Sequence, residues 1–359
     1  MKYWRGYLVA IIFAALTGAL MAFAAANAKL VDMVYPYISK TLVSSLANWS
    51  SGTALCLWNM IVLALITAFL VSVILMILLR WNPIQWLGWV LAVVTFLSMF
   101  SVGLYGLNKH AGPLADDIRL DVIDPDKADL RAAAAYFQDQ ALSLSKGIKR
   151  DDDGDPDYKD FDTLALQAGE GFKVLTYEEA LSVFSGSTAP VKKMTLVGKM
   201  SDTFVLTGES VVDPSTADLL LPFVMSAEMA RRMSIYRQED ANFAAFLACM
   251  HNPNKEFQYT AYCMAYALCL ELMENSDNSD VRAAAKALRA DAGSKLTSDA
   301  ELCLDAFSED PSGKLIVSWY VQKFITPLHE EEEVRFDPTD SSQVDLTYKE
   351  PDPTPLPEP

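Results

Sequence analysis

The chain has 359 residues and a formal net charge of −17, from 46 acidic and 29 basic residues. The charge is unevenly distributed: residues 1–108 contain five basic residues and one acid, so they carry +4 and the remainder carries −21. An acidic remainder argues against nucleic acid as a partner, because both would be polyanions. The length and the charge split predict a membrane part followed by one or two soluble domains.

Three apolar runs, residues 7–26, 54–79 and 84–107, each reach the roughly 20 residues that a transmembrane helix requires. None contains Asp, Glu, Lys or Arg. Tryptophans lie at or near their ends, as interfacial aromatics do: Trp4, Trp58, Trp81, Trp86 and Trp89. We therefore predict a membrane domain over residues 1–108 with the lipid bilayer as partner, in preference to a buried core hairpin. The first run also has small residues suited to signal-peptide cleavage, but its length favours an uncleaved anchor.

Basic residues predict the orientation of this multi-pass arrangement. Lys2 and Arg5 precede the first run, and Arg80 lies in the short turn between the second and third. Because basic residues favour the cytoplasmic side, the N-terminus is expected in the cytoplasm and everything after residue 107 outside it. Lys29 and Lys40, in the predicted outer loop, oppose this assignment.

Residues 109–328 are expected to form an extracytoplasmic domain that is mainly α-helical with a small β hairpin or sheet. Helices are predicted over residues 130–146, 161–167, 177–184 and several stretches from 254 to 324, and short strands over 191–197 and 204–206. The remaining residues, 329–359, are acidic and Pro-rich. They contain too little apolar surface to order themselves, so a disordered tail is predicted.

An aspartate-rich stretch, residues 151–162, offers alternating carboxylates to a calcium ion. The helix–loop calcium motif requires glycine at its sixth position and glutamate at its twelfth. Counted from Asp151, those positions hold Pro156 and Asp162. A solvated acidic loop is therefore favoured, and calcium binding is the alternative. The three histidines are far apart in the sequence, and the five cysteines match no zinc spacing.

The central stretch, residues 221–249, predicts two helices. Pro222 suits a first helical turn, and the first helix is expected to end near Tyr236. It carries Ala227, Glu228 and Arg231 in the frame of the His-Glu-x-x-His motif of zinc peptidases, in which two histidines hold the metal and the glutamate is the general base. Alanine has no donor atom, and arginine is permanently charged. An ordinary i,i+3 salt bridge between Glu228 and Arg231 is the alternative interpretation.

Residues flanking this frame resemble a bacterial membrane-protein family catalogued as domain of unknown function 3810. The resemblance rests on Leu221-Pro222-Phe223, Glu228-Met229-Ala230, Glu239 to Cys249, Phe257 to Tyr262, and the segment from Tyr105 to Ala115 after the third apolar run. Typical members are similar to zinc metallopeptidases. The resemblance therefore implies a zincin-like domain with a base at Glu228, histidine ligands at positions 227 and 231, and a third acidic ligand at Asp240, followed by Asn242. Thr207, Gly208 and Glu209 resemble the family's Thr-Gly-Glu turn.

The chain departs from this pattern at both histidines. We therefore expect no metal cofactor, although zinc is implied for typical members, and we expect Arg231 to pair with Glu228, Asp240 or both. The predicted function is a non-catalytic pseudopeptidase that binds a peptide or protein through these residues and a nearby strand edge. The alternative is an active membrane-anchored hydrolase that uses Glu228 with non-standard ligands.

Overall fold

The computed structural model describes residues 4–53, 55–158, 160–194 and 201–327. Its α-helices in chain order are α1 (Arg5–Ala26), α2 (Ala28–Ser50), α3 (Leu57–Leu78), α4 (Pro83–Leu104), α5 (Leu114–Asp117), α6 (Lys127–Ser145), α7 (Phe161–Tyr177), α8 (Leu221–Arg232), α9 (Gln238–Met250), α10 (Lys255–Glu274), α11 (Ser279–Asp291), α12 (Gly293–Phe307) and α13 (Ser312–Tyr320). The strands are β1 (Lys192–Lys193), β2 (Asp202–Phe204) and β3 (Glu209–Val212). The predicted class, mainly α with a small sheet, is confirmed.

Three helices, α1, α3 and α4, are long and apolar enough to cross a bilayer, which confirms the three predicted apolar helices. Each has 22 residues. α1 and α4 pack side by side with their starts together. A Cβ on Gly6 would lie 2.5 Å from the carbonyl carbon of Gly88, so the two backbones touch. Close approach at glycine is typical of helix pairs that associate in membranes.

The residues between the first two apolar helices form α2, where the sequence predicted only an outer loop. Val31, Ser39, Val43 and Ala47 are buried along one side of α2 at helical spacing. Because serines, a threonine and a proline interrupt its apolar pattern, hydropathy alone misses this helix.

α2 passes the end of α4 and satisfies carbonyl groups that a helix end leaves without partners. The Ser39 hydroxyl donates to the Leu104 carbonyl at 2.9 Å, and the Tyr35 hydroxyl donates to the Gly103 carbonyl at 3.0 Å. α2 therefore fixes the position of α4 relative to the rest of the chain.

The main hydrophobic core surrounds α10, which packs against α6, α9 and α12. Tyr259 and Tyr266 of α10 are fully buried. The five cysteines are free and buried. α8 lies between α9, α7 and the sheet, so the central stretch of the sequence is also central in the fold.

The sheet has the order β1-β3-β2, with β3 antiparallel to β2 and parallel to β1. Glu209 and Ser210, predicted to lie in a turn, begin the central strand. Both side chains are buried although polar, so β3 lacks the alternation that predicts a strand. The strand predicted over 204–206 is displaced, because Phe204 ends β2 and the chain then turns. Residues 195–197 of the other predicted strand lie outside the described residues, as does the predicted tail.

Candidate functional site

Glu228 lies on the side of α8 that faces the sheet, and only 5% of its surface is exposed to solvent. The Thr203 hydroxyl of β2 lies 3.0 Å from Glu228 Oε2 and 2.8 Å from the Glu228 carbonyl oxygen. The Ser210 hydroxyl of β3 donates to the same carbonyl at 2.9 Å. The sheet therefore holds both the backbone and the carboxyl group of Glu228.

Arg231 lies one turn further along α8, and the predicted contact with Glu228 is present. Its Nη1 is 3.8 Å from Glu228 Oε1 and 3.9 Å from Asp202 Oδ1. Its Nη2 donates to the Gln238 side-chain oxygen at the start of α9. Only 24% of the Arg231 side chain is exposed, so the guanidinium is directed to these partners and not to bulk solvent.

Asp240 was predicted to lie beside Glu228 and Arg231, and the structure places it elsewhere. Its Oδ2 accepts a hydrogen bond from the Leu114 backbone N–H at 3.1 Å. Burial raises the pKa of Asp240 to about 6, and the charged groups that act on it are Arg237, Glu239 and Asp117.

Asn242, two residues further along α9, contacts the polar network that Asp240 was predicted to join. Its Oδ1 accepts from Gln238 at 3.1 Å and its Nδ2 donates to Asp310, so a polar chain runs from Glu228 through Arg231, Gln238 and Asn242 to Asp310. Two residues along a helix correspond to a rotation of about 200°, so positions 240 and 242 face different surroundings. Asp310 precedes α13 and carried no signal in the sequence that pointed to this site.

Burial raises the pKa of Glu228 to about 7, although Arg231 and the Thr203 hydroxyl lower it. Ala227 is buried beside it and offers no donor atom. A catalytic zinc site uses three protein ligands. Among the described residues, no group of three or more His, Cys, Asp or Glu side chains is placed to hold a metal ion. The donor atoms present at this site therefore do not fit the zinc centre that the resemblance implied.

The Thr-Gly-Glu residues, predicted to contribute to binding, join the sheet to α2 and to the start of α3. Gly208 has a positive φ of 68°, and a Cβ there would lie 2.3 Å from the Ala47 nitrogen of α2. Glycine is required for both reasons. The Thr207 hydroxyl donates to the Phe204 carbonyl at 3.3 Å and closes the turn before β3.

The Glu209 carboxylate caps the N-terminus of α3. It accepts hydrogen bonds from the backbone N–H groups of Leu57 and Trp58, both at 2.8 Å, and lies 2.7 Å from the Lys192 ammonium of β1. Nearby, the rings of Trp58 and Phe204 stack at 4.4 Å. A carboxylate at a helix N-terminus satisfies orphan N–H groups and favours the positive end of the helix dipole.

The end of α4 also contacts the site. The Tyr105 hydroxyl donates to the Arg231 carbonyl at 2.9 Å. Burial raises the pKa of Tyr105 far above its usual range, so the hydroxyl stays protonated and keeps donating. Both α3 and α4 are therefore linked to α8. The link from α3 runs through Glu209 and the next residue of β3, and the link from α4 runs through Tyr105.

A cleft of about 370 Å³ lies next to this network, between α2, the segment that follows α4, the 3-10 turn Ser182–Phe184 and the connection from α8 to α9. Asp240 forms part of its wall. Asp240, the predicted third metal ligand, thus lines a cleft to which Glu228 does not contribute.

In the stretch predicted as an acidic loop, the acids have local roles. Asp151 Oδ1 accepts from the backbone N–H groups of Asp153 and Asp155. Asp160 caps α7, and Asp162 lies 3.3 Å from Lys193. These contacts favour the solvated loop over a calcium site. His251 directly follows α9, with its Nδ1 2.8 Å from the Leu247 carbonyl oxygen.

Comparison with known families gives one match: the model of a family described as "Protein of unknown function (DUF3810)" matches residues 31–320. No curated protein and no solved structure matches the chain.

Glu209→Gln should destabilise the folded protein, since it weakens a buried charge-assisted interaction with the α3 N-terminus and with Lys192. The expected loss is about 1.5–3 kcal/mol, measured as the free energy of unfolding in detergent. Lys192→Met should also destabilise, and the double variant should lose less than the sum of the two singles, because each single leaves a buried charge without its partner. Strict additivity would contradict the pairing.

Glu228 should make the protein less stable as pH rises. Its folded pKa, about 7, exceeds the value of 4.5 expected when unfolded, so its stabilising contribution is complete below pH 4.5 and is lost as pH rises through 7. The difference corresponds to about 3 kcal/mol. Glu228→Gln should remove this slope between pH 4.5 and about 7 in urea titrations, whereas Asp240→Asn should remove only a slope that ends near pH 6. An unchanged slope in Glu228→Gln would disprove the assignment.

Proposed function

The chain belongs to the DUF3810 family of proteins of unknown function, and from that premise we propose that it is a membrane-anchored, non-catalytic binding protein with a peptidase-like site. The observation that carries this proposal is the position of Arg231. Its guanidinium lies 3.8 Å from the Glu228 carboxylate, at the sequence position where the family resemblance implies a histidine ligand.

The chemistry of these residues supports loss of hydrolysis. A zinc peptidase requires a metal to polarise the peptide carbonyl and a glutamate free to take a proton from water. Here a guanidinium, which has no lone pair for a metal, supplies the positive charge beside Glu228. Thr203 engages the other carboxyl oxygen at 3.0 Å, so both oxygens of the base have protein neighbours.

The cleft beside α2 supports the binding part of the proposal. Its volume, about 370 Å³, falls in the range of small-ligand pockets, and would accept one or two side chains of a peptide or protein partner. The edge of β2, the other place considered for a peptide, is less suited, because the Thr203 backbone N–H already bonds the Asp202 side chain at 2.7 Å.

One observation favours the alternative, an active hydrolase. The pKa of Glu228, raised to about 7 by burial, is the value that suits a general base at neutral pH. Burial of an unused carboxyl group raises the pKa in the same way, so the discriminating measurement is activity.

Purified full-length protein should hydrolyse a quenched-fluorescent peptide library, with added zinc, no faster than the matched Glu228→Gln variant. Equal background rates are expected because the described side chains around Glu228 include Arg231 and no set of three metal ligands. A wild-type rate above that of the variant, abolished by a chelator, would contradict the proposal and establish the hydrolase.

We further propose that α1, α3 and α4 cross the cell membrane and that the acidic helical part lies outside the cytoplasm. Arg5 starts α1 and Arg80 precedes α4, and the contact of Gly6 with Gly88 brings these two starts together. Basic residues thus cluster at the end of the membrane helices opposite to α2, and basic ends favour the cytoplasm.

Cysteine labelling of intact cells tests this orientation. Asp277→Cys, at an exposed site before α11, should react with a membrane-impermeant maleimide, whereas Trp81→Cys, in the turn before α4, should react only after permeabilisation. The wild-type protein is the control, since its five cysteines are buried. The reverse pattern would place the acidic part in the cytoplasm.

A further inference from the structure

The cleft beside α2 contains polar atoms that the fold leaves without partners. Asn108 and Ser234 both line it, and both are more than nine-tenths buried. Asn108 Oδ1 and the Ser234 hydroxyl have no hydrogen-bond partner. An unsatisfied buried polar atom costs about 1–3 kcal/mol, so two of them in one cavity indicate that a ligand supplies the missing hydrogen bonds.

The hydrogen-bond network determines which atom of the Asn108 amide is free. The single proton of the Ser39 hydroxyl is donated to the Leu104 carbonyl at 2.9 Å. Ser39 can therefore only accept from Asn108, whose Nδ2 lies 2.9 Å away. The nitrogen of the amide thus faces Ser39, and the free atom is the oxygen, which accepts hydrogen bonds and donates none.

Three carboxylates share the wall of the cleft: Asp32, Asp117 and Asp240. Burial raises the pKa of Asp117, the charges of Asp32 and Asp116 raise it further, and the charge of Lys40 lowers it. The charge of Asp117 in turn raises the pKa of Asp240. In the described part of the chain, no Lys, Arg or His nitrogen lies within 4 Å of these three carboxylates.

The two basic residues of the cleft, Lys40 and Arg237, donate to backbone carbonyls, and their charges also lower the pKa of Asp117 and of Asp240, respectively. The Lys40 ammonium donates to the carbonyls of Ser182 and Val183, at 3.1 and 3.2 Å, and lies 3.4 Å from the Ser185 hydroxyl. These three contacts use its three N–H groups. Arg237 donates to the Ala111 carbonyl at 3.4 Å. Asp32 Oδ1 accepts from the Gly112 N–H at 2.6 Å and Asp240 Oδ2 accepts from the Leu114 N–H at 3.1 Å. The second oxygen of each carboxylate and the Asn108 oxygen remain as acceptors for a ligand.

Apolar and aromatic surface completes the cleft. Tyr37 of α2 is 71% exposed and Tyr236, before α9, is 41% exposed, and both line the cavity with Met33 and Pro36. Aromatic faces attract cations as well as apolar groups. The ligand that matches this surface is positively charged, rich in N–H donors and attached to an apolar stem.

We propose that the cleft binds a primary ammonium group on an aliphatic stem, as a lysine side chain of a peptide or protein provides and as a polyamine also provides. A metal ion does not fit, because the described carboxylates do not converge on one point. The proposal deepens the binding function proposed above and rests on it, since it identifies the chemistry that the partner must present.

Calorimetry with the full-length protein in detergent tests this site. The probes are acetyl-Ala-Lys-Ala-amide, the same peptide with norleucine in place of lysine, and spermidine. The lysine peptide should bind and the norleucine peptide should not, because it keeps the stem and lacks the charge. Stronger binding of spermidine than of the lysine peptide would identify a polyamine as the source of the ammonium group.

Three variants locate the site. Asp240→Asn and Asp117→Asn should each weaken binding of the lysine peptide about tenfold or more, since each removes a charged acceptor. Asp116→Asn is the matched control, an exposed acid of the same helix as Asp117 that does not line the cleft, and should change the affinity less than about twofold. Unfolding curves of each variant show that the fold is retained.

Equal binding of the lysine and norleucine peptides, or no binding of any probe, would overturn the ammonium proposal. Equal weakening by all three variants would also overturn it, because a general charge effect would then replace a defined site. These outcomes leave the non-catalytic function standing. Glu228-dependent hydrolysis of the lysine peptide would contradict the non-catalytic function without touching the ammonium site.

Discussion

The arrangement of the whole chain depends on the Glu209 carboxylate, which bonds the first N–H groups of α3 and the ammonium of Lys192. This contact fixes the start of a membrane-span helix to the central strand of the sheet. The next residue along that strand, Ser210, bonds the Glu228 carbonyl. A single strand thus connects α3 to α8, and α8 cannot shift relative to α3 without breaking hydrogen bonds to buried charged or polar groups. Such bonds are costly to lose inside a protein, so the candidate site is held rigidly next to the membrane helices.

The same reasoning explains how Glu228 tolerates burial. A carboxylate removed from water needs a compensating charge or must bind a proton. Both conditions are met: Arg231 lies 3.8 Å from the Glu228 carboxylate, and the pKa of Glu228 lies near 7. A guanidinium is fixed in the chain and always charged, so the pairing does not depend on the supply of a metal. Gln238, Asn242 and Asp310 extend the network from Arg231 toward α13, so Arg231 is part of a larger polar structure.

The sequence predicted the elements whose signals are local and strong. The three uncharged apolar runs became α1, α3 and α4, and the proline-marked helix and its successor became α8 and α9. The sequence did not predict the elements whose burial depends on contacts between residues far apart in the chain. α2 was missed because its buried side includes Ser39, whose partner is the end of α4, and β3 was missed because Glu209 and Ser210 are polar yet buried. The contact of Arg231 with Glu228 was predictable from i,i+3 spacing. The separation of Asp240 from Glu228 was not, because it depends on how α9 is rotated against α8.

The residues that the sequence predicted to form one site lie in three separate parts of the structure. Glu228, Arg231 and Asn242 form the polar network, Thr207 to Glu209 anchor the membrane helices, and Asp240 belongs to the cleft. Each part tolerates different changes. The network needs matched charges, the anchor needs a glycine and a carboxylate at fixed positions, and the cleft needs only acceptor atoms around a cavity. A change within the polar network therefore affects the first part alone, and leaves in place both the link from β3 to α3 and the acceptor-lined cleft.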